Sequence, residues 1–147
     1  QRGAADVALY VGLVAGWEVP CLILLPRLGR YFKRSTLISL GVAVYCLHVL
    51  ALPLLAASPL IWGMTLVAGV GGTAMLALPV AYYQDLLQGR PGTAGAMLAL
   101  QKLVSDVLVA LAFAVGTTIG GYTTVAVIGV SVALIGAAGL LWVDRRL

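Results

Sequence analysis

The chain has 147 residues, of which 62% are hydrophobic and only 10% are charged. An average soluble domain carries about 25% charged residues, so this chain has too little polar surface to cover itself in water. The composition predicts an integral membrane protein, which should be helical because the bilayer core offers no partners to unpaired backbone groups. The net charge of +4 does not indicate nucleic-acid binding, because the basic residues cluster in short segments between apolar runs.

Five apolar runs follow one another along the chain, and each is long enough to cross a bilayer as a helix. They span residues 7–26, 36–57, 59–83, 95–120 and 122–143. Typical helix breaks separate them: the basic loop RLGRYFKR, Ser58 followed by Pro59, the turn cluster QGRPGT, and the pair Gly120 and Gly121. The sequence therefore predicts an all-α membrane protein with five transmembrane helices.

The basic residues predict the orientation of these helices. In this topology seven of them share one side: Arg27, Arg30, Lys33, Arg34, Arg90, Arg145 and Arg146. The other side has Arg2 alone, so the positive-inside rule predicts that the seven and the C-terminus are cytoplasmic. The number of spans is odd and the chain has no initiator methionine, so we expect a longer protein in which a further span precedes Gln1.

Glu18 interrupts the first apolar run near its middle, in the stretch AGWEVPC. A charge at the centre of a transmembrane helix costs about 2.5 to 3.5 kcal/mol, and such residues often mark a substrate path or a proton relay. Pro20 cannot donate to the carbonyl of Gly16, so a kink is expected beside the carboxylate. Trp17 is an aromatic residue far from either predicted membrane interface. An aromatic ring next to a carboxylate, here that of Glu18, is suited to sugar binding, because the ring packs on the apolar C–H face and the carboxylate binds hydroxyls. A buried structural glutamate and a packing tryptophan are the alternatives.

The fourth run contains a second polar group in ALQKLVSDVL. Helical spacing puts all four polar residues on one face: Gln101, Lys102, Ser105 and Asp106. Lys102 and Asp106 are four residues apart and could form an ion pair, and a helix beginning near Gly95 would put Asp106 at about the depth of Glu18. Alternatively, Lys102 reaches water by leaning toward the end of its helix.

Other polar residues are weaker candidates. Tyr45 and His48 could line a cavity, although a lone histidine in an apolar span is often a structural donor. Gln84 and Asp85 close the third helix, either as an ordinary helix end or with Asp85 binding the basic first loop as a latch. Four residues on the predicted cytoplasmic side form the candidate gate: Arg30, Arg34, Asp85 and Arg90.

The sequence lacks the usual signatures of catalysis and of bound metals. It contains no HExxH motif, no GxxxxGK[ST] loop and no Ser/His/Asp set, and Cys21 and Cys46 show no metal-ligand spacing. We therefore expect neither an enzyme nor a cofactor or metal site. Small residues at GxxxG spacing, as in Gly12 with Gly16 and Gly116 with Gly120, favour close helix packing in lipid.

Three stretches together resemble a known family: GLVAGWEVPCLIL, the basic loop RLGRYFKR, and YYQDLLQGRPGTAGA. They are similar to the C-terminal half of major facilitator superfamily transporters, and most closely to the bacterial sugar efflux transporters. The resemblance covers nearly the whole chain, from about the eighth to the twelfth helix of a twelve-helix protein. Arg30 stands where the superfamily's loop motif normally carries an aspartate, so this loop resembles the degenerate second copy of the motif.

The resemblance implies proton-coupled efflux of sugars or sugar-like solutes by alternating access, in the bacterial inner membrane. The partners would be the solute, protons, membrane lipid and the N-terminal half, in the same or another chain. On this resemblance Trp17 and Glu18 would line the cavity, and Glu18 or Asp106 would take and release the proton. With the polar residues described above, the candidate substrate-binding residues are Trp17, Glu18, Tyr45, His48, Gln101 and Asp106, and the candidate proton-coupling residues are Glu18, Asp106 and Lys102. Two alternatives remain: multidrug efflux by the same fold, and a membrane scaffold or assembly subunit that transports nothing.

Overall fold

The computed structural model describes residues 3–146 as a bundle of five α-helices. They are α1 (Ala4–Leu28), α2 (Arg34–Leu55), α3 (Met64–Leu86), α4 (Pro91–Ile119) and α5 (Gly121–Asp144), with a short 3₁₀ helix at Pro59–Gly63 before α3. No strand occurs in the described range. All five helices are long and apolar enough to cross a membrane, which confirms the predicted fold class.

The connections are short and use the residues that the sequence indicates. The hydroxyl of Ser58 accepts a hydrogen bond from the backbone N–H of Leu60 at 3.3 Å and caps the 3₁₀ helix. Gly89, between α3 and α4, and Gly121, at the start of α5, have φ angles of +79° and +73°, which side chains with a Cβ rarely adopt. A single residue, Gly120, separates α4 from α5.

Helix α3 is the centre of the bundle. Helices α1 and α2 both pack against it, α5 packs against α2, and α4 packs against α5 with a smaller contact to α3. One cluster of buried apolar side chains joins α2 to α3, and a second joins α2 to α5. The first consists of Leu37, Ile38, Ala74 and Leu78, and the second of Val42, Cys46 and Val130.

Glycines allow the close packing on α3. A Cβ added at Gly71 would lie 2.8 to 3.0 Å from the backbone and Cβ of Tyr45, and one added at Gly69 would lie 2.6 Å from the Cβ of Trp17. Real Cβ atoms do not approach other atoms so closely, so both positions require glycine in this packing. These contacts set how near α1 and α2 come to α3.

Two helices are almost entirely exposed. Within the described residues, α1 has no buried residue and α4 has two, Ala94 and Gly116. Side chains as apolar as Ile119, which is 73% exposed, cover the surface of α4. Such a surface is stable in lipid or against further helices but not in water, as expected of transmembrane helices.

Ion pairs bring three segments together at one end of the bundle. Lys33 and Arg34 at the start of α2 approach Asp144 at the end of α5 and Asp85 at the end of α3. We call this the basic end, since the loop between α1 and α2 and both helix ends meet there. Arg2, predicted at the opposite end, lies outside the described residues. Which end faces the cytoplasm stays a prediction.

The glycine contacts generate a first prediction. Gly71→Ala should destabilise the bundle by about 1 to 3 kcal/mol, because its Cβ would overlap the backbone of Tyr45. Thermal unfolding of the purified protein in detergent measures the effect. Gly12→Ala is the matched control, since nothing lies within 4 Å of a Cβ added there. Equal midpoints for the two variants would contradict the proposed packing.

Candidate functional site

Glu18 lies on the one face of α1 that packs against the bundle. The half-buried positions in α1 recur every three or four residues, as one helical face requires: Asp6, Tyr10, Val14, Glu18, Cys21 and Leu25. This face packs against α3. The carboxylate therefore points toward the helix seam and away from the exposed surface of α1.

Gly72 brings Glu18 and Tyr45 to the same place. A Cβ added at Gly72 would lie 3.2 Å from Oε1 of Glu18 and 4.0 Å from Cε2 of the Tyr45 ring. The carboxylate on α1 and the phenol ring on α2 thus approach α3 at the same glycine. Glu18 forms no ion pair with any residue in the described range.

Trp17 occupies a different position. Its Cβ packs on Gly69, but the side chain is 43% exposed. Trp17 and Glu18 therefore both contact glycines of α3, while much of the Trp17 indole lies outside the contact between α1 and α3. The predicted pair of an aromatic plate and a carboxylate is adjacent in the structure, and its part in binding stays a prediction.

His48 is the centre of an aromatic cluster. It is buried, its ring lies 5.6 Å from that of Tyr45, and its Nδ1 lies 3.4 Å from the hydroxyl of Tyr10 on α1. Tyr10 also contacts Trp62 in the 3₁₀ helix, with ring centroids 6.3 Å apart. Together with Glu18 and Tyr45, this cluster forms a row of polar side chains that runs away from the basic end of the bundle.

Tyr10 is a member of this cluster that the sequence analysis did not select. It stands eight residues before Glu18, two turns along the same helical face, so helical spacing was a signal for it. A tyrosine near the end of an apolar run is also typical of the membrane interface. The sequence therefore gave no reason to expect its contact with His48.

The polar residues of α4 separate into two pairs. Lys102 donates to both carboxylate oxygens of Asp106, at 2.8 and 3.0 Å, and the two side chains are 76% and 61% exposed. Gln101 and Ser105 instead line a largely apolar groove of about 430 Å³ between α4 and helices α2, α3 and α5. The expected Lys102–Asp106 ion pair is present, but no hydrogen bond or ion pair among residues 3–146 joins it to Glu18.

The length of α4 changes the position of Asp106 along its helix. The predicted fourth span begins at Gly95, whereas α4 begins at Pro91, because proline is well suited to the first turn of a helix. Asp106 is therefore about 22 Å along α4 from its first residue, while Glu18 is about 15 Å from the end of α1. These are distances along two helices, and whether the two carboxylates lie at the same depth in a membrane stays a prediction.

The candidate gate contains one formed ion pair. Nη1 of Arg34 lies 2.8 Å from Oδ2 of Asp85, so the first loop and the end of α3 are in contact. The sequence analysis gave this contact as one of two alternatives, the other being an ordinary helix end. Arg30 and Arg90 form no ion pair with a described residue. The function of the four residues as a gate stays a prediction.

Asp144 is a second acid at the basic end, and the sequence analysis missed it. The hydroxyl of Ser35, which is 1% exposed, donates to Oδ2 of Asp144 at 2.8 Å, and Nζ of Lys33 lies 3.7 Å from the same oxygen. The first turn of α2 is thus held on one side by α5 and on the other by α3. Asp144 precedes Arg145 and Arg146 in the sequence, which made it look like part of a solvated tail.

The five long apolar helices define a multi-pass helical membrane protein. The chain is 24% identical over 143 residues to a protein of Deinococcus radiodurans described as "Putative sugar efflux transporter". The match covers 97% of this chain but 37% of the relative, so the chain spans little more than a third of that protein's length. No protein-family model matches the chain, and no solved structure matches it at a significant level.

The match confirms the similarity to bacterial sugar efflux transporters, on which the sequence analysis relied. It extends over nearly the whole chain and is not limited to the loop motifs. Its length is consistent with the C-terminal half of a transporter of this kind.

The two acids at the basic end should differ in their effects on stability. Asp144→Ala leaves the buried hydroxyl of Ser35 without its acceptor, which should cost about 1 to 3 kcal/mol. Asp85→Ala breaks an ion pair whose partners are 36% and 56% exposed, and such pairs contribute about 0.2 to 1 kcal/mol. Thermal unfolding in detergent ranks the variants, and Asp144→Asn, which keeps an acceptor, is the control. A larger loss for Asp85→Ala would contradict this assignment.

Proposed function

We propose that the chain is part of a secondary active transporter that exports sugars or sugar-like small molecules in exchange for protons. It would contribute one half of the helices around a central cavity, and the rest of the transporter, in the same or another chain, would close the cavity. Two halves that rock about this cavity would open it alternately to the two sides of the bacterial inner membrane, with the C-terminus of this chain in the cytoplasm.

The position of Glu18 is the observation that carries the proposal. An ionisable group inside a membrane is costly, and Glu18 faces the packed helices beside a glycine instead of reaching the bilayer surface. It has no basic partner among the described residues, so its charge is free to respond to a proton or to a solute hydroxyl. Tyr45 approaches the same glycine and offers a hydroxyl and an aromatic face.

The ion pair on α4 supports a cavity on that side of the bundle. Lys102 and Asp106 neutralise each other, yet both are largely exposed in the described chain. Two charges facing hydrocarbon would be costly even as a pair, whereas a water-filled cavity or a polar partner helix would stabilise them. In the proposal this face of α4 borders the substrate path together with Gln101, and Asp106 joins Glu18 in proton coupling.

The similarity to the Deinococcus radiodurans protein supports the solute class. That protein is described as a "Putative sugar efflux transporter", and the match covers 97% of this chain. The glutamate, tyrosine and tryptophan near the seam suit a sugar, since carboxylates accept hydrogen bonds from hydroxyls and aromatic rings pack on apolar C–H faces. In this proposal a sugar would bind between Glu18 and the remaining helices of the transporter.

The exchange of a proton for solute tests this assignment. The complete protein, reconstituted in proteoliposomes, should transport labelled sugar when a pH gradient is imposed, and Glu18→Gln should reduce this gradient-driven flux at least tenfold. Exchange of labelled for unlabelled sugar without a gradient should persist, because it needs no net proton transfer. Asp6→Asn, on the same helix but near its first turn, should leave both fluxes unchanged.

The same assay separates the alternative functions. A panel of sugars and amphipathic cations in the flux assay distinguishes sugar export from drug export by the same fold. Flux of neither class by protein that is folded and monodisperse would favour a scaffold. Full gradient-driven flux in the Glu18→Gln variant would remove Glu18 from proton coupling, whatever the solute.

The gate can be tested through its one formed ion pair. Arg34→Asp should open the basic end, because it places a second acid beside Asp85, and the double variant with Asp85→Arg should restore closure. The measurement is the labelling rate of a cysteine introduced at Ala81 by an impermeant maleimide, with Cys21 and Cys46 replaced by alanine. We expect the rate to rise severalfold in the single variant and to return in the double variant. Equal rates in all three proteins would remove this pair from the gate.

A further inference from the structure

A cavity at the basic end lies apart from the proposed sugar site around Glu18 and Tyr45. It lies between the end of α1 and α3, has a volume of about 470 Å³, and is within the size range of small-molecule sites. Its walls are apolar, while two arginines line the end nearest the loop. The residues that matter here are Leu22, Leu25, Ala77, Ala81, Arg30 and Arg34.

The charge around this cavity is positive and partly uncompensated. The loop from Arg27 to Arg34 carries four basic side chains, and its ion pairs reach two carboxylates, Asp85 and Asp144. Arg34 binds Asp85, but the side chain of Arg30 forms no ion pair within residues 3–146. An anion in the cavity would therefore find at least one free guanidinium.

The loop also carries aromatic side chains suited to a membrane surface. Tyr31 is 83% exposed and Phe32 is 56% exposed, between the arginines and Lys33. Aromatic rings beside basic residues are typical of the level of lipid headgroups. In a membrane the cavity would thus begin at the headgroup level and continue into the hydrocarbon region between α1 and α3.

We propose that this cavity binds an anionic phospholipid. The headgroup phosphate would contact Arg30 and Arg34, whose guanidinium groups suit phosphate oxygens, and one acyl chain would lie along the apolar walls. A free phosphate would use only the arginines, and a neutral lipid only the walls. An anionic phospholipid uses both, which is why we assign it as the occupant.

The site would also connect lipid to the ion pair at the basic end. Arg34 lines the cavity and binds Asp85, so a phosphate that recruits its guanidinium competes with the carboxylate. Anionic lipid would then weaken the contact between the first loop and α3. This consequence depends on the gate in the proposed function, whereas lipid binding itself does not.

Lipid binding can be measured without any transport. The complete protein is placed in nanodiscs of phosphatidylcholine, and phosphatidylglycerol bound to the released protein is counted by native mass spectrometry as its fraction is raised. Arg30→Gln should weaken phosphatidylglycerol binding about fivefold. Arg145→Gln makes the same charge change at the same end but outside the cavity, and it should leave binding unchanged.

Two further measurements identify which kind of molecule is bound. Ala77→Phe should fill the cavity and weaken binding without changing charge, and its monodispersity and thermal midpoint verify folding. Soluble glycerol phosphate at the same concentration should not displace the lipid. The proposal is overturned if Arg30→Gln and Arg145→Gln weaken binding equally, if Ala77→Phe has no effect, or if glycerol phosphate displaces the lipid.

Discussion

The approach of α1 and α2 to α3 across three glycines is the contact on which the rest of the structure depends. Gly69 accepts the Cβ of Trp17, Gly71 accepts the backbone of Tyr45, and Gly72 leaves room for the Glu18 carboxylate. Lipid gives helices little hydrophobic reason to associate, so such close backbone contact must supply dispersion energy. The same small residues that hold the bundle together also determine where its internal acid lies, so packing and the proposed function have a common origin.

The polar side chains of the bundle fall into two groups, buried ones and an exposed ion pair. Buried ones are satisfied: within residues 3–146 no buried side-chain nitrogen or oxygen lacks a hydrogen-bond partner. The hydroxyl of Thr73 donates to the carbonyl of Gly69 at 2.7 Å, and that of Ser35 donates to Asp144. Lys102 and Asp106 are different, because they pair with each other on an exposed helix face. Satisfied groups stabilise the described chain, while the exposed pair points to surroundings that this chain alone does not supply.

Much of the fold follows from the sequence, because long apolar runs and glycine breaks are local signals. The five helices, the Ser58 cap, the turn glycines and the Lys102–Asp106 pair all depend on residues close together in the chain. Contacts between distant segments could not be predicted in this way. The partners of Asp144 and the approach of Tyr10 to His48 depend on which helices become neighbours, and one sequence contains no direct signal of that. The ion pair between Arg34 and Asp85 could be suggested from the sequence because both residues were predicted to lie at helix ends on the same side of the membrane.

The one-residue connection at Gly120 limits how α4 can move. Its neighbour Gly116 packs against the backbone of Val125, so the two helices are held tightly where the chain reverses. With no slack there, α4 cannot slide lengthwise past α5 and is left with tilting about that corner. A helix of 29 residues is about 43 Å long, so a tilt of about 10° would carry its far end sideways by about 7 Å. The chain reversal would thus be the fixed point of such a tilt, and the end of α4 that moves farthest would be Pro91, which follows Arg90.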